Sequence, residues 1–565
     1  MPLPPHLRKP AALAALAGLT VLGLALAFRG WDRWVEDRLA RWAVGEVGRR
    51  TGGAYRLVLG DLAFLPLAGS IAFDSAIVVT DSARNRRRAE PLPMLAWRGH
   101  GCRVSGVNVP RLLLRKALDA RELGCDRVVA SIALAAAATG DRGPGADSAA
   151  PDETEEDSPL GLTELRIGDV SFPAADIRVE RPGERGPASI RLERARFEAG
   201  DLAFDPAAGL AEGRALSAGR ARLTAAGLLL RPDTLIELAA QGLEADFGAS
   251  TLRLAGLRHE PSIPESEWVR RVRVRRDRIA FELDTLHARG VDWRAFLASG
   301  GIGIRALELQ GARLDVLTDR RIPKGRPRRH RTPQQWAALP GAPLRLDTLL
   351  VTGAIAYRER RPDREAAGRV SFDRMRATVL HLERPSRGRP LRIEAAARVM
   401  GAGDLTVEAE VPLDAPDFRY RLAGRLGPMP AEAFNRYLSV NEAFEFGEGR
   451  VEEIVFRQTA KAGRAATTLT PRYLDLSVRP TGDGGGIVGS VTRRVKQFVA
   501  NALVVRSENP ADGGDDFRVA RTVRQYDPAT TWLQHLWLSL RDGLTVAIRE
   551  QKPEDEERPR RPARP

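Results

Sequence analysis

Cysteine, histidine and aromatic side chains are all scarce in this chain, and each scarcity removes a class of chemistry. Two cysteines in 565 residues, Cys102 and Cys125, cannot build a disulfide framework or a zinc site. In an oxidising compartment they pair once; otherwise they stay as two free thiols. The seven histidines stand apart, with no His-Glu-x-x-His pair and no His/Cys cluster, so no metal site is expected. No Gly-x-Ser-x-Gly nucleophile elbow occurs. Gly484-x-Gly486-x-x-Gly489 spells the dinucleotide fingerprint, but no train of alternating strand and helix surrounds it, and no lysine follows as in a phosphate loop. It reads as a flexible turn, and no cofactor is expected. Carboxylates are plentiful but fall on polar strand faces, where solvated charge is the default. Nothing nominates a catalytic residue, and the chain does not read as an enzyme.

What the chain does have is an apolar rhythm. Ile302, Ile304, Leu307, Leu309, Leu314 and Val316 fall at offsets 0, 2, 5, 7, 12 and 14. Period-two alternation puts apolar side chains on one face of a strand. The odd step from Ile304 to Leu307 flips that parity, and one extra residue, a β-bulge, restores it. The longer gap Gln310-Gly311-Ala312-Arg313 has the length of a hairpin turn. The stretch therefore predicts strand, kink, strand, tight turn and returning strand. Leu165, Ile167, Val170, Phe172, Ile177 and Val179 repeat the spacing, as do Ile190, Leu192, Ala195, Phe197, Leu202 and Phe204. Leu344, Leu346, Leu349, Val351, Ile355 and Tyr357 follow it with a shorter turn. Leu57, Leu59, Leu62, Phe64, Ile71 and Phe73 follow it with the longer Pro66-Leu67-Ala68-Gly69. Such copies suggest stacked hairpins, each unable to bury its apolar face alone; an ordinary β-sandwich alternates in the same way.

Lysine and arginine outnumber aspartate and glutamate 88 to 73, a formal charge of +15. Such an excess suits anionic partners, either nucleic acid or lipid surfaces. The most basic stretch, Asp319–Thr332, has no interleaved aromatic for base stacking, which argues against nucleic acid. It reads as a solvated loop, or as one touching anionic headgroups or a partner.

Long apolar runs are absent except for Ala11–Phe28, which is just long enough to span a bilayer as a helix. Ala25-Leu26-Ala27 offers a rival signal-cleavage site, but the run continues into a helix-like segment with Trp31, Trp34 and Trp42. His6, Arg8 and Lys9 favour a cytoplasmic N-terminus, so an uncleaved anchor would put the body outside the inner membrane. Short helices are expected around Val109–Glu122, Pro264–Trp268 and Gly290–Ala298. At the C-terminal end Val488, Val491, Val495, Phe498, Val499, Ala502 and Leu503 share one helical face. Asp527 can cap a last helix whose stripe Trp532, Leu533, Leu536, Trp537, Leu540 and Leu544 covers a sheet end or meets a membrane.

Tyr55-Arg-Leu-Val-Leu-Gly-Asp-Leu62 returning through Gly69-Ser-Ile-Ala-Phe73 and Val78-Val79-Thr80-Asp81, behind an N-terminal anchor, resembles the start of AsmA-like envelope proteins. Leu346-Asp-Thr-Leu-Leu-Val-Thr-Gly-Ala-Ile-Ala-Tyr357 with Gly368-Arg-Val-Ser-Phe372 is similar to the same family. So are Gly401-Ala-Gly403, Asp417-Phe418-Arg419-Tyr420 and Gly424-Arg-Leu-Gly427, which resemble its C-terminal portion. The low-complexity linker and the basic loop depart from that pattern.

The resemblance implies a mainly β fold: an elongated, curved antiparallel groove of repeated hairpins, with a transmembrane helix before it and amphipathic helices after it. It implies a single-pass inner-membrane protein with a periplasmic body. Phospholipid acyl chains would be sheltered in the groove for transfer between inner and outer membranes, or for outer-membrane homeostasis. Partners would be membrane lipids and envelope proteins. The groove would be lined by Leu165, Ile167, Val170, Phe172, Leu307, Leu309, Leu314, Val316, Leu346, Leu349, Val351, Ile355 and Tyr357. The alternative is a non-catalytic envelope scaffold with a closed β core. On either reading the chain divides into an anchor (1–30), a helix with the first hairpins (31–137), an acidic linker (138–158) and a β-groove region (159–318). A basic loop (319–343), a C-terminal β region (344–480), amphipathic helices (481–550) and a disordered tail (551–565) follow.

Overall fold

The computed structural model describes parts of 36–49 and most of 51–133, 164–481 and 506–548. Short omissions fall at 66–67, 88–93, 109–110, 112–116, 182–187, 205–215, 232–235, 300, 327–328, 443 and 511–516. The expected anchor, the linker 138–158, the Gly484–Gly489 turn, the Val488–Leu503 helix and the tail lie outside the described residues. Among the described residues no helix is long and apolar enough to cross a membrane.

The chain forms two compact units, Met1–Ala249 and Ser250–Pro565, a division that falls inside the expected 159–318 region. Both are mainly β. The first carries β1 (Tyr55–Leu59), β2 (Leu62–Leu65), β3 (Ser70–Thr80), the short helix α1 (Ser82–Arg86) and β4 (Met94–Ser105). It continues through β5 (Ala117–Ala133), β6 (Glu164–Arg181), β7 (Ala188–Phe204), β8 (Leu216–Ser217), β9 (Arg220–Arg231), β10 (Leu238–Ala240) and β11 (Gly242–Asp246). Strands β3 to β7 pair in chain order, β9 follows β7, and β1 and β2 both pair with β3.

The second unit begins with β12 (Thr251–His259), α2 (Glu265–Arg271), β13 (Arg278–Val291), α3 (Trp293–Ser299) and β14 (Ile302–Asp319). After α4 (Pro333–Ala337) come β15 (Leu344–Arg360), β16 (Ala367–Arg384), β17 (Leu391–Val399), β18 (Gly403–Val411), β19 (Tyr420–Leu426) and β20 (Met429–Pro430). It ends with α5 (Asn435–Asn441), β21 (Phe444–Phe446), β22 (Arg450–Lys461), β23 (Arg464–Leu474), β24 (Val478–Pro480), β25 (Ala520–Gln525) and α6 (Trp532–Ile548). Its sheet runs β12 to β19 in chain order and then through β22, β23 and β25.

The sheets are mixed, where a purely antiparallel arrangement was expected. β5 runs parallel to β6, and β14 parallel to β15. A parallel neighbour needs a connection long enough to return the length of the strand. The two stretches that fit no hairpin supply it: 134–163 joins β5 to β6, and 320–343 joins β14 to β15. The second is tied down at both ends. Arg275 N, just before β13, donates to Pro323 O (2.9 Å), and His330 N donates to Pro528 O, just after β25 (2.7 Å).

Four of the five expected hairpins are single long strands. Only Leu57–Phe73 turns back, as β2 pairing with β3. In β6, β14 and β15 the five-residue or four-residue gap is a bulge inside one strand, whereas in β7 the register runs unbroken from Phe197 to Leu202 and Asp201 takes φ +55°. At Gln310–Arg313 the register shifts between Leu309 and Ala312, and Gly311 takes φ +70°. The neighbouring strands shift beside it, between Gly353 and Ile355 and between Asp373 and Arg376, where Arg374 has φ +51°. Gly353 is obligatory here, since an added Cβ would lie 1.8 Å from Ala312 O. The kink at Ile304–Leu307 has neighbours too: Gly290 in β13 (φ +65°) and His381 in β16 (φ +61°). Bulges bend a strand and raise its twist, and in the second unit they lie side by side across the sheet.

The helix expected over Val109–Glu122 is not formed from Ala117 onward. That part joins the ladder of β5, with Ala120 opposite Ile167 and Glu122 opposite Ser105. The short helices near 265 and 293 do form. The cap of α6 is Thr531, whose Oγ1 accepts from Gln534 N (3.1 Å); Asp527 instead holds the preceding turn through Ala529 N (2.9 Å).

Candidate functional site

The register of the second unit lines up one apolar residue per strand. Leu254, Leu286, Leu309, Val351, Ala377, Ala395 and Val407 are successive cross-strand partners from β12 to β18. The row continues through Gly424, Phe456, Leu469 and Ala520 on β19, β22, β23 and β25. One residue along, on the other face, the partners are Arg253, His287, Glu308, Leu350, Thr378, Glu394 and Glu408. Apolar and polar faces are thus separated strand by strand, as period-two alternation requires.

The row is not evenly covered. Phe456, Leu469 and Ala520 are 7 %, 3 % and 2 % exposed, whereas Leu254 through Val407 are each only half-buried. The difference lies in α6, which packs against β23 and β25 and closes a core with Phe418, Tyr420, Leu422 and Phe456. Trp336 of α4 packs against the same buried cluster as Val379, Leu382 and Ile393 at one end of the half-buried floor. Phe434, just before α5, joins the cluster around Phe372 at the other.

Helix α6 does not turn its large stripe fully onto the sheet. His535, Ser539, Gly543 and Ala547 face the strands, Leu536, Leu540 and Leu544 flank them, and Leu533 and Trp537 are 61 % and 55 % exposed. The reason is the floor beneath, which here includes the buried polar Gln458 and Thr467. Small residues let the helix lie close, and Gln458 Nε2 donates to Leu536 O (3.1 Å) while Tyr420 Oη donates to Gln458 Oε1 (3.3 Å). His535 is caged by Phe418, Tyr420 and Tyr526, with ring centroids 5.7, 6.4 and 5.4 Å away. Burial, helped by nearby Arg524, holds its pKa below the ordinary histidine range.

Of the predicted residues, nine meet on this face. Leu307 lies opposite Leu349, Leu309 opposite Val351, Leu314 opposite Ile355 and Val316 opposite Tyr357, all half-buried; Leu346, buried, faces Leu382. Tyr357 Oη donates to Glu359 Oε2 (2.9 Å), and burial raises its pKa to about 12. The other four belong to the first unit. Ile167 and Val170 are buried, and Phe172 stacks on Phe197 (6.1 Å). Leu165 pairs through its backbone with Leu118 and Phe204, and its side chain lies outside the described residues. Ala377, Ala395 and Val407 were missed, although Ile393-x-Ala395 and Leu405-x-Val407-x-Ala409 alternate legibly.

The first unit has its own row: Leu57, Val78, Trp97, Ala130, Ile177, Leu192, Leu228 and Ala240. Beside it Cys102 and Cys125 stand opposite each other on β4 and β5, joined as a disulfide with Cα atoms 3.9 Å apart. Both are buried, with Phe73 and Trp97 against their cluster.

Charge is organised on the other face of the second unit. Arg358 bonds Asp315 (2.6 Å) and Glu265 (2.9 Å), and Arg360 bonds Glu265 (2.8 Å), pinning α2 to the strand ends. Arg358 holds the Glu265 carboxyl below the usual carboxylate range. Among the described residues no three His, Cys, Asp or Glu side chains are grouped to hold a metal ion. Compared with known families and curated proteins, the chain matches no family model and no curated relative.

Proposed function

We propose that this is an AsmA-like envelope protein, anchored in the inner membrane by Ala11–Phe28, whose periplasmic body shelters lipid acyl chains in an apolar β-trough. It would serve lipid transfer between the membranes or outer-membrane homeostasis, without catalysis. The carrying observation is the half-buried apolar row from Leu254 to Val407. A contiguous apolar face of that extent is normally covered, and its continuation is covered, by α6. Seven strands side by side give about 29 Å of floor, against the ~15 Å thickness of one lipid leaflet.

Curvature is supported by two features. The aligned bulges each bend their strand. The crossover 323–330 also reaches from the margin at β13 to the margin at β25. Ten flat strands would span roughly 43 Å sideways, whereas seven residues reach at most ~24 Å. The margins therefore curl toward one another.

The test is mass spectrometry of lipids that remain with full-length protein extracted in a neutral detergent. The reading expects phospholipid in stoichiometric amount; a lipid-free, fully folded protein would leave the scaffold alternative in its place.

A further inference from the structure

We infer that the trough takes an anionic, phosphate-bearing lipid, and that Lys324, Arg326, Arg329 and Arg331 of the β14–β15 crossover hold its headgroup. This rests on the lipid-trough reading and deepens it.

The crossover gathers cations that are left unpaired within a few residues of one another. Elsewhere in the unit the arginines are repeatedly matched: Arg313 with Glu282 and Asp284, Arg345 with Asp347, Arg425 and Arg472 with Glu453, and Arg524 with Asp542. Even Arg320 and Arg321, at the start of the crossover, pair with Glu359 and Asp319. Residues 322–332 contain no aspartate or glutamate. Lys324, Arg326, Arg329 and Arg331 are exposed, and none makes an ion pair with a described residue.

Their position fits an amphiphile. Arg331 immediately precedes Thr332, which caps α4 by a reciprocal pair with Gln335. That cap fixes the turn carrying Trp336, which packs against the same buried cluster as Val379, Leu382 and Ile393 of the apolar floor, with Arg384 over its ring. His330 is fastened to the turn before α6 through Pro528 O and accepts from Tyr526 Oη (3.2 Å). Free cations are therefore held within a few residues of the place where half-buried apolar surface begins. A phosphodiester with acyl tails satisfies both surfaces at once: guanidinium and ammonium groups make charge-assisted hydrogen bonds to phosphate oxygens, and the tails cover the floor. Nucleic acid or free phosphate would satisfy only the first.

The test uses full-length protein in dodecyl maltoside, equilibrated with mixed micelles of equal phosphatidylglycerol and phosphatidylcholine, with retained lipid measured by mass spectrometry. The parent is expected to retain phosphatidylglycerol several-fold over phosphatidylcholine. K324E/R326E/R329E/R331E should bring that ratio to about one while total bound lipid and the unfolding midpoint stay unchanged. The control R376E/R392E, on exposed sheet positions, should keep the parent's preference. A parent that retains both lipids equally, or a quadruple variant that keeps the preference, overturns the headgroup assignment and leaves the trough standing. A parent that retains neither lipid overturns the trough itself. Displacement of phosphatidylglycerol and phosphatidylcholine alike by millimolar inorganic phosphate would mark a free-anion site with no tails held by the floor, and would overturn the trough as well.

Discussion

Leu309 lies directly opposite Val351 across the parallel pair β14–β15, and both side chains are half-buried. That pairing exists only because residues 320–343 carry the chain back along the sheet. It joins the two strands whose rhythm is clearest into one continuous floor.

An open floor and a packed core respond differently to charge. Val351→Asp and Ile355→Arg should each lower stability by less than about 1.5 kcal/mol, because a half-buried charge keeps some water, yet should strip bound lipid. A sealed core would lose several kcal/mol from the same changes. Thermal or urea unfolding together with lipid content separates the two.

The disulfide between Cys102 and Cys125 closes a sequence separation of 23 residues. In the chain-entropy account that stabilises the first unit by roughly 3 kcal/mol. Reductant should lower the parent's unfolding midpoint and leave that of C102S/C125S unmoved. An unmoved parent would mean the pair contributes nothing.

Gly353 tests the bulge. Its missing Cβ makes room for Ala312 O, so Gly353→Val should cost roughly 3 kcal/mol or more by forcing β14 and β15 apart. Gly388→Ala has positive φ but open space around it, and should cost about 1 kcal/mol from backbone strain alone. Equal losses at the two positions would refute the close strand approach.

His535 should make the second unit acid-sensitive. Its pKa is lowered in the folded protein, so the unfolded chain takes up the proton first. Its contribution is full above about pH 6.5 and is lost as the pH falls below that value toward the folded pKa. The charged group near it is Arg524, paired with Asp542, while the tyrosines of its cage stay neutral throughout this range. His535→Phe should flatten the fall in midpoint between pH 7.5 and 5; an unchanged slope would assign the sensitivity elsewhere.

Much of this face was legible from alternation alone, because period two needs only local sequence. The change of parity after Ile304 was legible for the same reason, but the ladders on both sides run through it without the register shift of a bulge. The hairpin at Gln310–Arg313 was misread because a turn and a bulge both break parity and both favour glycine at positive φ; only the partner strand decides between them. Parallel pairing was hidden because nothing local records which neighbour a strand chooses. The ladder at Ala377 was faint because alanine carries little apolar signal, whereas the alternation at Ala395 and Val407 was there to be read. The large stripe of α6 looked like the buried face, but Gln458 and Thr467 beneath it favoured the small residues instead.

The most direct measurement compares two adjacent residues. Leu350 is exposed on the polar face, and Val351 points from the apolar floor. A photoreactive amino acid placed at each position in turn, in the full-length protein in its own membrane, reports what lies within a few ångströms. The account predicts lipid adducts at 351 and few at 350. Adducts in equal amount at both positions, or none at 351, would contradict it.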